Sequence, residues 1–252
     1  MSVGLLGVVT RLTLDVMPAY RLQESNRIDP LDKVLDDWDD AVTTHRHYSF
    51  FWAPQDDAGA LYALPYIPAN HCYVKMLEER PVDAASDARE PISGETGART
   101  GRAYLIYPDT TDEIATWIEL EYMVAAKDAK PAFLALRELM LEHFPLETSP
   151  IEVRWTQGEP AFLSPHHGHD TCSISVSGLK KHDWDTFLRA VDETLRPWAP
   201  RSHWGKVGYL DHERLRAVYP ALDRFLAIRA ELDPHGLFLN DYFRDLLREE
   251  AP

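Results

Sequence analysis

Basic residues are scarce in this sequence. The 252-residue chain has 26 lysine and arginine residues against 41 aspartate and glutamate residues, which gives a formal net charge of -15 at pH 7. Nucleic-acid surfaces depend on clustered lysine and arginine side chains, because these neutralise the phosphates. The composition therefore argues against a nucleic-acid partner.

Cysteines and long apolar runs are also lacking. The two cysteines, Cys72 and Cys172, form no C-x-x-C pair, so a disulfide framework and a zinc ribbon are both unsupported. We expect two reduced thiols in a cytoplasmic protein. No apolar run approaches the ~20 residues of a membrane-spanning helix, and the first residues lack the basic stretch of a signal peptide. Peripheral association with a membrane stays open.

Three common catalytic motifs are absent. The sequence contains no G-x-S-x-G, no P-loop and no G-x-G-x-x-G, so hydrolase, ATPase and Rossmann-type dehydrogenase functions lose their usual support. The histidine-rich stretch PHHGHD at 165–170 lacks the spacing of a metal site, and we interpret it as a surface turn. The paired His45 and His47 are interpreted as the entry to a strand, and no metal site is predicted.

Strand and helix patterns interleave along the chain. Strands are predicted at 3–16, 47–55, 60–69, 116–125, 151–156 and 170–178, and helices at 30–44, 130–144, 183–196, 213–232 and 239–250, with a break at Pro220 and a polar loop at 78–102. Several strands follow each other without a helix between them. This order favours an α+β fold in which helices cover a largely antiparallel sheet.

Two of these strands place polar side chains on one face. In IEVRWT, alternation puts Glu152 and Arg154 on one face and apolar residues on the other. In DTCSISVSG, Ser173, Ser175 and Ser177 likewise share a face. If the strands are neighbours, a carboxylate, a guanidinium and several hydroxyls could hold a polyhydroxylated ligand. The alternative is a solvated sheet face with one cross-strand ion pair.

Several segments resemble one family in the same order. The opening run GLLGVVTRLTLDVMPAYRL is similar to the last strand of the FAD-binding domain in vanillyl-alcohol-oxidase-type flavoproteins. HYSFFWAPQ, ELEYMVA, IEVRWT, SHWGK and LDPHGLFLNDYFRDLL resemble successive landmarks of the sugar-1,4-lactone and alditol oxidases, which include D-arabinono-1,4-lactone oxidase, L-gulonolactone oxidase and alditol oxidase. The resemblance spans nearly the whole chain.

This resemblance implies a fold, a cofactor and a reaction. Residues 1–20 would be the end of a truncated FAD-binding domain, and residues 21–252 a substrate domain with C-terminal helices. The implied activity is oxidation of an alcohol carbon of a sugar lactone or polyol by hydride transfer to N5 of FAD, with oxygen or another electron acceptor. A fixed cation near the flavin would favour its reduced form.

The resemblance also implies roles for individual residues. By motif, the catalytic residues would be Glu152, Arg154 and Lys206, which would also bind substrate together with Ser175 and Ser177; Gly7, Val9 and His203 would contact the cofactor. Glu152 would hold a substrate hydroxyl and relay its proton. Arg154 and Lys206 would stabilise negative charge on the substrate oxygen or the flavin.

The sequence departs from the family at two places. Leu5 stands where the family commonly has serine, and Ser175 and Ser177 stand where alditol oxidases have a histidine and a threonine, which affects substrate choice. The main FAD-binding elements of the family would precede the opening run. The chain is therefore expected to be part of a longer protein, one half of a two-chain enzyme with a separate FAD-binding half, or an inactive remnant. A flavin-free module that binds a sugar acid or a protein is the non-enzymatic alternative.

Overall fold

Antiparallel strands dominate the fold. The structure, a computed structural model, describes residues 1–56, 58–62, 64–81, 98–106, 117–179 and 182–248. The strands in these ranges are β1 (Arg21–Pro30), β2 (His47–Trp52), β3 (His71–Arg80), β4 (Ala98–Arg102), β5 (Trp117–Ala125), β6 (Ile151–Thr156), β7 (Thr171–Leu179) and β8 (Arg201–Ser202). They form one sheet in the order β4-β1-β3-β2-β6-β7-β5-β8, and its strand pairs are antiparallel. The predicted α+β fold is confirmed.

The helices follow the predicted pattern closely. They are α1 (Leu31–Thr44), α2 (Ala103–Ile106), α3 (Ala129–His143), α4 (Trp184–Leu195), α5 (His212–Val218), α6 (Leu222–Leu232) and α7 (Asp241–Leu247). Pro220 separates α5 from α6, since proline cannot donate the backbone hydrogen bond that a continuous helix needs. Within the described ranges, no helix is long and apolar enough to cross a membrane.

Polar side chains determine where three helices begin. Asp183 before α4, Asp211 before α5 and Asn240 before α7 each accept a hydrogen bond from the backbone N–H three residues further on. These bonds satisfy N–H groups that have no partner inside the helix. The C-terminal helices therefore begin at positions that the sequence specifies locally.

The segment LDPHGLFLN makes the turn between α6 and α7. The carboxylate of Asp233 accepts hydrogen bonds from the backbone N–H groups of Leu237 and Phe238 at 2.8 and 2.9 Å. Gly236 has a φ angle of 63°, a conformation that glycine adopts without steric cost. This segment therefore has a structural role in the described chain, because it directs α7 back onto the preceding helices.

Helices α1, α3 and α4 cover one face of the sheet. Aromatic rings fill the interface: the centroids of Trp38 and Trp155 lie 5.0 Å apart, and those of Phe50 and Phe133 lie 5.6 Å apart. Both pairs meet edge to face, a geometry worth about 0.5–1.5 kcal/mol beyond the burial of the rings. This aromatic core holds the helices against β2 and β6 and leaves the opposite face of the sheet for other contacts.

Both cysteines lie in this core. Cys72 and Cys172 are buried and free, as predicted. Burial raises the pKa of each thiol far above its usual range. Because the thiolate is the reactive form, neither side chain is suited to chemistry at neutral pH.

A second core lies among the C-terminal helices. Leu215, Phe225 and Phe243 from α5, α6 and α7 pack together, and Trp204 joins them from the loop after β8. Leu5, which is only 1% exposed, inserts into the same cluster from the start of the chain. The first residues are therefore anchored on the C-terminal helices.

A buried carboxylate connects the two cores. Asp192 in α4 accepts hydrogen bonds from Arg214 in α5 at 2.9 Å through both of its oxygens, and one oxygen also accepts from the hydroxyl of Tyr122 in β5. The paired charges of Arg214 and Asp192 allow this burial, because an unpaired carboxylate would be strongly destabilising there. This network joins α5 to the sheet.

The strand predicted at the start of the chain is not formed. Residues 7–20 have no regular secondary structure, and Val9 and Val16 are 72% and 90% exposed. The alternating apolar pattern is real, but a strand exists only when another strand pairs with it, and no described strand pairs with this segment. The predicted strand is therefore wrong for the described chain, because no described strand pairs with residues 7–20.

Two further local predictions were wrong. The strand expected at 60–69 is replaced by a short 3-10 helix at Ala58–Tyr62 and an irregular segment at 64–68, where Pro65 and Pro68 cannot donate to a ladder. The polar loop expected at 78–102 begins with the end of β3 and finishes with β4. The remainder of that loop, at 82–97, lies outside the described residues.

Replacing Phe133 by alanine should lower the free energy of unfolding by about 3–5 kcal/mol, because the ring is fully buried between Trp38, Phe50 and Trp52. Urea denaturation measures this change. The neighbouring Leu134→Ala is the matched control: Leu134 is 38% exposed on the same helix, so its change should be far smaller. Equal losses in the two variants would contradict the described packing of α3.

Candidate active site

The face of the sheet opposite α1, α3 and α4 carries a charged cluster. We use "polar face" for the side chains of Glu119 and Glu121 in β5, Glu152 and Arg154 in β6, and Ser173, Ser175 and Ser177 in β7. Glu152 lies opposite Ser175, which in turn lies opposite Glu121, and Arg154 lies opposite Ser173. The two polar strands are neighbours, which was the condition set for a shared polar face, and the register brings the charges of β5 and β6 together across the serines of β7.

Two members of the polar face were missed by the sequence analysis. Glu119 and Glu121 lie in WIELEYMVA, which was recognised as a strand and a family landmark but not as a source of site residues. The alternation of Glu119, Leu120 and Glu121 is a sufficient signal that both carboxylates share one face. The pairing of β5 with β7 could not be read from the sequence, and it is this pairing that places them beside Glu152 and Arg154.

The loop after β8 brings a second cation to the polar face. Its backbone follows the edge of β5, because the N–H groups of His203 and Val207 donate to the carbonyls of Glu121 and Glu119 at 3.0 and 2.9 Å. A Cβ at Gly208 would lie 3.0 Å from the hydroxyl oxygen of Ser202, so any side chain at this position would require Ser202 to shift. Trp204 fixes the other side of the loop.

Lys206 and Arg154 bind to the same carboxylate. The Nζ of Lys206 lies 2.6 Å from Oε2 of Glu121 and 2.6 Å from Oε1 of Glu119. The Nη2 of Arg154 lies 2.6 Å from Oε1 of Glu121, and its Nη1 lies 3.7 Å from Oε1 of Glu152. Lys206, Arg154 and Glu152 were predicted to lie together, and the structure places them in one network.

Glu121 remains ionised in this network. Burial alone would raise the pKa of its carboxyl group, but the charge of Arg154 and the hydrogen bonds from Lys206, Ser173 and Arg154 outweigh burial and lower the pKa to about 2. The side chain is 2% exposed. Glu121 is therefore a buried negative charge that depends on its cationic partners.

The pKa of Glu152 is shifted in the opposite direction to that of Glu121. Burial raises its pKa, Arg154 opposes this rise, and the neighbouring Glu121 and Glu119 add to it. A segment from the 3-10 helix at 58–62 crosses the face beside it, because the hydroxyl of Tyr62 lies 2.7 Å from Oγ of Ser177 in β7. Of Glu121 and Glu152, Glu152 is therefore the carboxyl group that is better suited to exchange a proton.

The serines have partners within the cluster. Ser175 donates to Glu119, and Ser173 donates to Glu121. Ser177 shares its hydrogen bond with Tyr62. Each hydroxyl has further lone pairs, but Ser175 and Ser177 are each only 1% exposed.

The predicted cofactor contacts lie apart from the ion pairs. His203 is exposed at the start of the loop, and its Nδ1 accepts a hydrogen bond from the backbone of Gly205 at 3.1 Å. Gly7 lies beside Phe238 and has a φ angle of 115°, and Val9 is largely exposed. Their predicted roles as cofactor contacts stay predictions.

The histidine-rich stretch is a turn at one end of the polar face. His166 Nδ1 lies 2.6 Å from Oγ1 of Thr171, at the beginning of β7. Arg201 donates to the carbonyls of Pro165 and His167 at 3.2 and 2.8 Å and fixes the turn. No group of three or more potential metal ligands occurs in the part of the chain that the structure describes.

Solved structures with a similar architecture define the fold class of the chain. BBE-like 1 from Physcomitrella patens matches with a TM-score of 0.53 at 12% identity, over 94% of this chain and 56% of that chain. A xylooligosaccharide oxidase from Myceliophthora thermophila matches with a TM-score of 0.52 at 10% identity, over 92% of this chain and 56% of that chain. At these identities the likeness concerns the fold alone, which is that of the berberine-bridge-enzyme and vanillyl-alcohol-oxidase type.

Sequence comparison then identifies the family. The family model of D-arabinono-1,4-lactone oxidase matches residues 12–68 and 101–246, and the chain belongs to this family. The resemblance found in the motifs is thereby confirmed. The family is one of flavin-linked oxidoreductases, so membership implies a flavin cofactor.

Two curated relatives align with almost all of the chain. The L-gulono-1,4-lactone dehydrogenase of Mycobacterium tuberculosis (strain ATCC 25618 / H37Rv) is 28% identical over 98% of this chain and 62% of that protein. The alditol oxidase of Streptomyces sp. is 29% identical over 98% of this chain and 61% of that protein. The chain therefore spans less than two thirds of the length of these relatives.

Glu121→Gln should destabilise the protein most at neutral pH. The pKa of Glu121 is depressed in the folded state, so its stabilising effect is present above the unfolded pKa near 4.5 and is lost as the pH falls through about 2. The depression corresponds to at most about 3 kcal/mol. Urea denaturation should show the largest difference in the free energy of unfolding between the variant and the unsubstituted protein at pH 7. At pH 3 that difference should be about half as large.

The exposed Glu231→Gln in α6 is the charge-matched control, and it should show little effect at either pH. A difference for Glu121→Gln that does not shrink on acidification would contradict the ionised, cation-paired state of Glu121.

Proposed function

We propose that this chain is the substrate-binding part of an FAD-linked oxidoreductase that oxidises an alcohol carbon of a sugar lactone or an alditol. The observation that carries the proposal is the polar face, where Glu152, Arg154 and Lys206 are held within one network of ion pairs. The relatives named for L-gulono-1,4-lactone and alditols support this substrate class. Both kinds of substrate offer the hydroxyl groups that such a face can bind.

The donors on the polar face fit a flavin. A flavin becomes negatively charged when it is reduced, and fixed cations favour that form. Arg154 and Lys206 are such cations, and they are held by Glu121 and Glu119 rather than by flexible surface contacts. His203, exposed on the same loop as Lys206, would lie against the cofactor.

Glu152 is the residue that we assign to the substrate hydroxyl. Burial moves the pKa of its carboxyl group upward, towards the pH at which a general base is effective. Its carboxylate would accept the hydroxyl proton as the carbon–oxygen double bond forms. When bound, the flavin supplies the acceptor for the hydride that leaves the same carbon.

The other polar residues would bind and orient the substrate. Arg154 and Lys206 would stabilise negative charge that develops on the reacting oxygen, which is the contribution expected of preorganised cations. Ser175 and Ser177 would accept hydrogen bonds from the remaining hydroxyl groups of the substrate. Because both serines already have partners in β5 and in Tyr62, their orientations are fixed before the substrate arrives.

We further propose that residues 1–20 belong with an FAD-binding domain, whereas residues 21–252 form the substrate domain. The support is the apolar pattern of the opening segment, in which Val8, Leu12, Leu14 and Val16 are 77%, 70%, 70% and 90% exposed. Exposed alternating apolar side chains suit a strand that completes another sheet. Gly7 and Val9 in this segment are the proposed cofactor contacts of the opening run.

Anaerobic reduction of bound FAD tests this function directly. Flavin-loaded protein that is mixed with L-gulono-1,4-lactone or an alditol should lose its visible flavin absorbance, whether oxygen or another acceptor is used later. Glu152→Gln should slow this reduction by about 10²–10⁴-fold, the usual contribution of a general base. Lys206→Met should also slow it.

The exposed Glu138→Gln in α3, on the helix-covered side of the sheet, is the control and should reduce at the unsubstituted rate. Flavin that remains oxidised with every lactone and alditol would contradict the proposed function. Unchanged rates in both the Glu152 and the Lys206 variants would contradict the residue assignments. A protein that stays colourless with FAD would contradict independent catalysis by this chain.

A further inference from the structure

We propose that Glu121 is a positioning residue that fixes Arg154 and Lys206 side by side on the polar face. The inference rests on the proposed function for its catalytic meaning, because Arg154 and Lys206 are the cations assigned to the reacting oxygen and the flavin. The positioning itself involves only residues of this chain and can be tested without a cofactor or a substrate. Glu121 itself was absent from the residues that the motifs indicated.

The carboxylate of Glu121 divides its two oxygens between the two cations. Oε1 accepts from Nη2 of Arg154, and Oε2 accepts from Nζ of Lys206, both at 2.6 Å. Ser173 donates to Oε1 as well. The carboxylate is therefore held on three sides by groups from β6, β7 and the loop after β8.

Glu119 does not provide the same bridge. Its Oε1 accepts from Lys206 and from Ser175, and its side chain is 19% exposed, whereas that of Glu121 is 2% exposed. Among the described hydrogen bonds and ion pairs, Glu121 is the residue that contacts both cations. Of the two cations, Glu119 contacts only Lys206 in the described hydrogen bonds and ion pairs.

Two positive charges placed against one carboxylate repel each other, and the buried negative charge between them offsets that repulsion. Without it, the described ion pairs that remain are those of Arg154 with Glu152 at 3.7 Å and of Lys206 with Glu119 at 2.6 Å. The loss of the Glu121 charge should therefore let the cations separate, Arg154 towards β6 and Lys206 towards Glu119.

This separation has a consequence for Glu152. The charged groups that face Glu152 are Arg154 on its own strand, Glu119 and Glu121 on β5, and Lys206 on the loop after β8. The uncharged neighbours opposite it are Phe51 in β2 and Ser175 in β7. Removal of the Glu121 charge takes away a negative neighbour and lets Arg154 approach, and both changes should lower the pKa of Glu152.

Nuclear magnetic resonance of the 252-residue chain tests the positioning role without turnover. In the unsubstituted protein, the guanidinium signals of Arg154 and the ammonium signal of Lys206 should be protected from exchange with water. In Glu121→Gln both should lose protection, and a ¹³C titration should show a lower pKa for Glu152. In Glu119→Gln only the Lys206 signal should change.

A second variant covers the case in which Glu121→Gln does not fold. Glu121→Asp keeps the negative charge but shortens the side chain by one methylene, so it cannot reach both cations in the same way. It should leave the pKa of Glu152 closer to that of the unsubstituted protein and still weaken the protection of Arg154 or Lys206. The exposed Glu231→Gln controls for a general effect of charge and should change none of these signals.

Flavin reduction provides the catalytic arm. Glu121→Gln should lower the limiting rate of flavin reduction by about 10- to 100-fold, because a small misplacement of catalytic groups slows the reaction strongly. The lactone concentration that gives the half-maximal rate should change less. Protected Arg154 and Lys206 signals together with an unchanged pKa of Glu152 in Glu121→Gln would overturn the proposal. Equal loss of Arg154 protection in Glu119→Gln would also overturn it. If the unsubstituted protein reduces no flavin, the proposed function fails, while the resonance arm still decides the positioning role.

Discussion

A buried carboxylate between two cations is the interaction on which the polar face depends. Glu121 is almost fully enclosed and stays ionised because Arg154 and Lys206 donate to it. Such a charge would be strongly destabilising without both partners. The register of β5, β7 and β6 therefore has to bring these side chains together, and the loop after β8 has to follow the edge of β5.

The rest of the fold supplies the rigidity that this arrangement needs. On the covered face, the rings of Trp38, Phe50 and Phe133 hold α1 and α3 against β2, whose neighbour β6 carries Glu152 and Arg154. At the other edge, Asp192 and Arg214 join α5 to the sheet, and Trp204 anchors the loop of Lys206 in the C-terminal core. One core thus positions the strand of Glu152 and Arg154, and the other positions the loop of Lys206.

The sequence allowed the faces of individual strands to be predicted, because side-chain alternation is a local property. The polar faces of β6 and β7 were predicted one strand at a time, and the helices were found from the spacing of their apolar residues. The role of Glu121 was missed, since it depends on the pairing of β5 with β7, which is a long-range property. The opening segment shows the opposite error: its pattern suits a strand, but residues 7–20 find no partner strand in the described chain.

Family membership and geometry contribute different parts of the account. The match to the D-arabinono-1,4-lactone oxidase family shows the family of the chain, while the structure shows which side chains of the polar face lie close to one another. Ser175 lies opposite Glu152 on the polar face, and Ser177 lies on the same face opposite Glu119.

The central claim is that the polar face is the place where the substrate binds. The most direct measurement is a chemical-shift titration of the isotopically labelled, FAD-loaded protein with L-gulono-1,4-lactone. The account predicts that the largest shifts occur at Glu152, Ser175 and Ser177 and that they are strongly reduced in Lys206→Met. Shifts that are largest away from the polar face, for instance at the turn of 165–170 or on the exposed side of α3, would contradict it.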